Sequence, residues 1–145
     1  MKRFYSLLAI VLLACCCTQK SAQTEDNTAW IESSVVYEMN VRQMTPEGNF
    51  DAATAKLPEL KELGVDVVWV MPLYPIGELE RKGSLGSYYA IRNYCDVNPE
   101  FGTLQDFDEF LAEAHRLGLK VIIDWVANHT SPDHPKKKKK PAEWY

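Results

Sequence analysis

The chain has 145 residues, which is enough for one small domain with a hydrophobic core. Its composition, 46% hydrophobic and 25% charged, is typical of a globular domain. Five of the sixteen Lys and Arg residues lie in the run 136–140, so the rest of the chain carries eleven basic residues against twenty acidic ones. This acidic body argues against a nucleic-acid partner and suits a neutral substrate or a cation.

The first 14 residues are predicted to be a targeting signal. A basic start is followed by the apolar stretch 7–14, which is far shorter than the roughly 20 residues that span a membrane. The stretch runs into Cys15, and the sequence Leu-Leu-Ala-Cys resembles a bacterial lipobox, whose cysteine is lipidated. We therefore expect an exported, membrane-anchored lipoprotein on the periplasmic or cell-surface side, with residues 15–30 as a flexible tether. One alternative is an ordinary secretory signal followed by chance cysteines, and another is lipidation of Cys16 or Cys17 if the cleavage register shifts.

The first half of the remaining chain predicts a strand, a helix and a second strand. β-Branched and aromatic residues are dense in 34–41, the first strand. Asp51 can cap a helix over residues 51–63, although Pro58 predicts a kink or a late start within it. The inner face of that helix would carry Leu57, Leu60 and Leu63. A second strand follows at residues 65–71.

The second half predicts a long loop, a helix and a third strand. The loop runs to Gly102 and carries several aromatic side chains, so we expect it to be ordered and functional. Thr103 can cap the next helix, with Asp106 as the partner in a capping box. The apolar stripe of this helix would consist of Leu104, Phe107, Leu111 and Ala114. Gly118 would end the helix, and residues 119–126 form the third strand.

The order strand–helix–strand–helix–strand predicts an α/β fold with parallel strands. Periodicity leaves two architectures open, namely the start of a (β/α)8 barrel or part of an open doubly wound sheet. No Gly-x-Gly-x-x-Gly pattern follows the first strand, so nothing favours a dinucleotide site. Cys95 is the one cysteine after the signal region, which excludes an internal disulfide framework.

Three segments, in order, resemble the alpha-amylase family, glycoside hydrolase family 13. They are Leu-Lys-Glu-Leu-Gly-Val leading into Val-Trp-Val-Met-Pro at residues 60–72, the tyrosine-rich stretch 89–103, and Asp-Trp-Val-Ala-Asn-His-Thr at 124–130. The resemblance covers about residues 35–135. It implies that residues 31–145 are the N-terminal part of a catalytic (β/α)8 TIM barrel, an incomplete barrel holding the first three βα units.

The resemblance implies four binding residues. Tyr89 would be the aromatic platform under the sugar at the cleavage subsite, His129 would hydrogen-bond that sugar, and Asp124 would help to order the catalytic centre. Asn128 matches a position that ligates a structural calcium in many members of the family, and its amide oxygen is a suitable hard ligand. Each residue also has a structural alternative. Tyr89 would only pack within its loop, and His129 would be a structural residue whose hydrogen bonds are made within the protein. Asp124 would only pair with an arginine, and the Asn128 amide would only stabilise a turn.

The implied function is an alpha-glucan or maltooligosaccharide hydrolase of the alpha-amylase type, which retains configuration with two carboxylates. In the family these catalytic carboxylates follow the fourth and fifth strands, so we expect both to lie beyond Tyr145. The 145-residue polypeptide by itself is then expected to be inactive and poorly soluble, since its sheet edges are open. The alternative is a non-catalytic, amylase-like surface lipoprotein that binds glucan.

Overall fold

The computed structural model describes residues 28–136. The predicted signal, Cys15 and most of the tether lie outside these residues, as does the chain after Lys136. The chain divides into two units, residues 1–32 and 33–145. Ala29–Ser33 forms a short 3-10 helix, in which the Ile31 amide donates to the Thr28 carbonyl at 2.9 Å. None of the helices described between residues 28 and 136 is both long and apolar enough to cross a bilayer.

The second unit contains a three-stranded parallel sheet in the order β1-β2-β3. The strands are shorter than predicted, with four residues each: β1 is Val36–Met39, β2 is Val67–Val70 and β3 is Lys120–Ile123. Each pairing continues one step further through a single hydrogen bond. The Met71 amide donates to the Met39 carbonyl and the Asp124 amide to the Val70 carbonyl, both at 3.0 Å. The predicted residues beyond these bonds lie outside the sheet, and Val41 begins a helix instead.

Between residues 28 and 123, four α-helices accompany the sheet. They are α1 (Val41–Met44), α2 (Phe50–Thr54), α3 (Leu57–Glu62) and α4 (Leu104–Arg116). The single helix predicted for residues 51–63 is thus two helices, and Pro58 lies in the first turn of α3, where a missing N–H removes no intrahelical bond. The prediction of Asp51 as cap was wrong. Asn49 caps α2, its Oδ1 accepting the Ala52 amide at 3.0 Å, because Asn49 is the extended residue before the helix.

Helix α4 begins and ends where the sequence predicts. The Thr103 hydroxyl accepts the Asp106 amide at 3.3 Å, and the Asp106 carboxylate accepts the Thr103 amide at 2.6 Å, which confirms the capping box. Gly118 follows the helix with φ of +74°, a conformation that glycine adopts without steric cost. The predicted stripe is only partly right. Phe107, Phe110 and Ala114 are buried, whereas Leu104 is 54% exposed, because it starts the helix at the edge of the core.

The core lies between the helices and one face of the sheet. Phe50 of α2 is fully buried and packs edge-on or tilted against Phe101, Phe107 and Phe110, with ring centroids 5.4–6.4 Å apart. Leu57 and Leu60 join this core, but Leu63 is 75% exposed, so the predicted three-leucine face loses its last member at the helix end.

The opposite face of the sheet is only partly covered in the described part of the chain, where Val67 on this face is 1% exposed. Glu38, Trp69 and Ile122 lie side by side across the three strands on this face. Trp69 is 37% exposed and Ile122 47% exposed. Among residues 28–136 the helices pack against the other face, that of Val68 and Val70.

Candidate functional site

The loops after β2 and β3 pack against each other at the carboxyl end of the sheet. The Ser131 amide donates to the Ile91 carbonyl at 2.9 Å, and the Glu78 amide donates to the Asp133 carboxylate at 3.0 Å. Within the loop after β2, Arg92 forms an ion pair with Glu78 at 2.8 Å, and its Nε lies 3.9 Å from Asp133 Oδ2 in the other loop. The carboxyl ends of parallel strands lie at the same edge of the sheet, and the loops that follow them carry the predicted site residues. The contacts between these loops therefore bring those residues into one region.

Tyr89 and Asp124 are in direct contact. The Tyr89 hydroxyl donates to Asp124 Oδ2 at 3.1 Å, although 35 positions separate the two residues. Burial, the hydrogen bond to Asp124 and the negative charges of Asp124 and Glu38 raise the pKa of the Tyr89 phenol. At neutral pH the phenol is therefore protonated and remains a donor. The bond fixes one edge of a ring that is 38% exposed and open to a ligand.

Asn128 and His129 form a second contact. Asn128 Nδ2 lies 3.2 Å from His129 Nδ1, and both residues are exposed. Because an amide nitrogen only donates, this contact requires an unprotonated Nδ1. In the neutral ring the proton is then on Nε2, where it can be donated to a hydroxyl of a ligand. The four predicted residues thus occur in the structure as two hydrogen-bonded pairs.

Tyr94 links the two loops through its hydroxyl. The phenol donates to the carbonyl oxygen of Val126 and to that of His129, the latter at 2.8 Å. Its ring lies near Tyr74 and the buried His134, with centroid distances of 5.5 and 5.8 Å. Sequence reasoning assigned this side chain no role. The signal that could have found it is its place five residues after Tyr89, within the second resembling segment.

A cavity of about 400 Å³ adjoins Tyr94. Its lining includes Trp125, which is 71% exposed, and the thiol-bearing Cys95. Burial and the nearby charge of Lys136 lower the pKa of His134, another lining residue, against the opposing effect of Asp133. His134 is therefore neutral at pH 7 and packs as an uncharged ring beside Tyr94.

Between residues 28 and 136 no group of three or more His, Cys, Asp or Glu side chains is placed to hold a metal ion. Calcium takes six to eight oxygen ligands, and Asn128 offers one amide oxygen.

Calcium binding stays a prediction for Asn128. Titrating the chain with calcium chloride beside an Asn128→Ala variant would decide it, and equal binding by both would refute that role.

Comparison with known proteins identifies relatives of this arrangement. The family described as "Alpha amylase, catalytic domain" matches residues 19–143. A probable alpha-glucosidase of Rhizobium meliloti is 36% identical over 139 residues, covering 86% of this chain and 24% of the relative. A probable oligo-1,6-glucosidase of Bacillus subtilis is 39% identical over 112 residues, covering 74% of this chain and 19% of the relative.

A solved structure agrees in fold as well as in sequence. The crystal structure of an alpha-amylase from Lactobacillus plantarum superposes with a TM-score of 0.75 at 48% identity, covering 77% of this chain and 26% of that one. The three parallel strands and their helices are therefore part of a (β/α)8 barrel rather than an open doubly wound sheet. The chain spans about a quarter or less of the length of these relatives.

Proposed function

Because the chain belongs to the alpha-amylase family, we propose that it forms part of the sugar-binding site of a retaining glycosidase acting on alpha-glucans or maltooligosaccharides. The observation that carries this proposal is the hydrogen bond of 3.1 Å between the Tyr89 phenol and Asp124. It lies at the carboxyl end of the strands, where barrel enzymes place their sites.

The geometry suits a glucose ring. The axial C–H face of a sugar is apolar and packs on the exposed face of Tyr89, while Asp124 restrains the tilt of that aromatic ring. His129 can donate from Nε2 to a sugar hydroxyl, since Asn128 occupies Nδ1. In this proposal Tyr89 and His129 bind the sugar, and Asp124 orders the site.

Cleavage of a glycosidic bond requires catalytic residues in addition to these binding residues. Retaining glycosidases need two carboxyl groups about 5–5.5 Å apart on either side of the bond that is cleaved. In the family these groups follow the fourth and fifth strands, and the described part of this chain contains three strands. We therefore propose that the 145-residue polypeptide binds glucan without cleaving it. Exposed apolar residues on its edge strands, Val36 and Ile123 among them, would make it poorly soluble.

The Tyr89→Ala variant tests the proposed site. Its dissociation constant for maltoheptaose, measured by titration calorimetry on the 145-residue chain, is expected to rise at least about tenfold, because the stacking surface is lost. Tyr89→Phe keeps the ring but loses the bond to Asp124, and should show a smaller loss. Leu79→Ala, at an exposed position in the same loop, is the control and should bind as the original chain does.

Two results would count against the proposal. Equal affinity of Tyr89→Ala and the original chain would remove Tyr89 from the site. Release of reducing sugar from soluble starch by the purified 145-residue polypeptide would show that it needs no further carboxylates.

We also propose that Cys15 carries a lipid that anchors the protein to a bacterial membrane, on the evidence of the Leu-Leu-Ala-Cys sequence alone. Cys15→Ser is expected to move most of the protein from the membrane to the soluble fraction, as followed by immunoblotting of fractionated cells. Cys17→Ser is the matched control and should stay with the membrane. An unchanged distribution of Cys15→Ser would refute this attachment site.

A further inference from the structure

The segment that presents Asn128 and His129 has little local structure of its own. Residues 124–130 lie in neither helix nor strand, and Ala127, Asn128 and His129 are all exposed. A loop of this kind samples several conformations unless contacts from elsewhere restrain its backbone. The orientation of the His129 ring therefore depends on what holds the carbonyl groups around it.

Tyr94 supplies such a restraint. Its phenolic oxygen lies within hydrogen-bond distance of two carbonyl oxygens, those of Val126 and His129. A phenol has one proton, so the two carbonyls share it in a three-centre bond. Two acceptors that would otherwise repel each other are thereby drawn toward one donor. The turn between them is closed, and Ala127 and Asn128 are directed outward.

The position of that hydroxyl is itself fixed. The Tyr94 ring packs against Tyr74 and the buried His134. Immediately after the turn, the Ser131 amide is held by the Ile91 carbonyl at 2.9 Å. The backbone at His129 is thus restrained on both sides by groups from the loop after β2.

We infer that Tyr94 is a positioning residue, whose hydroxyl sets the backbone at His129 and with it the direction in which the imidazole meets a sugar hydroxyl. The inference rests on the proposed role of His129 in glucan binding. In this inference Tyr94 acts on His129 through two carbonyl groups. The loop after β2 then contributes to the site twice, with Tyr89 as a binding surface and Tyr94 as a support.

The test is Tyr94→Phe in the full 145-residue chain. Phenylalanine keeps the ring contacts with Tyr74 and His134, so the fold is expected to persist. Nuclear magnetic resonance of the histidine rings, assigned with His115→Gln and His134→Gln, is expected to show the His129 signals shifted and broadened. The dissociation constant for maltoheptaose is expected to rise about fivefold to tenfold, the effect of one lost hydrogen bond.

The control is Tyr37→Phe, which removes the hydroxyl of a half-buried tyrosine on β1. That hydroxyl donates to the Met44 sulfur at 3.6 Å. This variant should leave the His129 signals and the affinity unchanged. If Tyr94→Phe only lowers the melting temperature while the His129 signals stay as they were, its role is structural and the inference is wrong. If the original chain binds no maltoheptaose, the proposed function fails, but the ring signals still decide whether Tyr94 orients His129.

Discussion

Replacing Phe50 with alanine is expected to lower the free energy of unfolding by about 3–5 kcal/mol. Phe50 has no exposed surface and meets three other phenylalanine rings, so truncation leaves a cavity in the middle of the core. The Phe50 amide also donates to the Phe101 carbonyl at 2.9 Å, and this hydrogen bond limits how far α2 can move to fill the space. Urea unfolding followed by circular dichroism measures the effect.

Leu63→Ala is the matched control for Phe50→Ala. Leu63 also belongs to the helical region between β1 and β2, but its side chain is 75% exposed. The expected change is within about 0.5 kcal/mol, as for a surface substitution. If Leu63→Ala lowered the free energy of unfolding as much as Phe50→Ala, Leu63 would have to face the core as Phe50 does, contrary to the structure.

Replacing Gly77 with alanine is expected to destabilise the chain by about 1–3 kcal/mol and to separate the two loops of the candidate site. A Cβ atom at Gly77 would lie 2.3 Å from the Ser131 Cβ and 2.7 Å from Asp133 Oδ1. Ser131 is buried and its amide is bonded to Ile91, so it cannot move aside freely. The clash is therefore relieved by moving one loop away from the other.

The double variant Gly77→Ala with Ser131→Gly tests the steric explanation. Ser131→Gly removes the nearest obstructing atom, so the double variant should be more stable than the sum of the two single changes predicts. Urea unfolding gives these free energies, and limited proteolysis reports the opening of the loops. Strict additivity would show that Gly77 and Ser131 are not coupled, and the close packing between the loops would then have no energetic role.

Local features of the fold follow from the sequence because they depend on residues close together in the chain. The Thr103 and Asp106 pair lies within one helical turn, and Gly118 ends the helix through its own backbone conformation. Pro58 predicts a break in the first helical region for the same local reason. The cap at Asn49 rather than Asp51 was missed because both residue types can cap, and the choice depends on which of the two is extended.

Burial at the ends of elements was harder to predict. Leu63 and Leu104 continue the apolar spacing of their helices, yet both are exposed, whereas Phe110 lies outside the predicted stripe and is fully buried. Spacing shows which side chains share a helical face, but it does not show where the neighbouring sheet ends. The length of each packed face is decided by the partner across the core.

The sequence by itself determined the alternation of strands and helices, the helix cap at Thr103, and the three resembling segments that place the chain in its family. Only the tertiary structure decided that Tyr89 donates to Asp124, that Tyr94 holds the carbonyl of His129, and that Gly77 lies against Ser131. These contacts join residues 35 to 54 positions apart. They depend on how two irregular loops fold against each other, and hydrophobic periodicity carries no information about that arrangement.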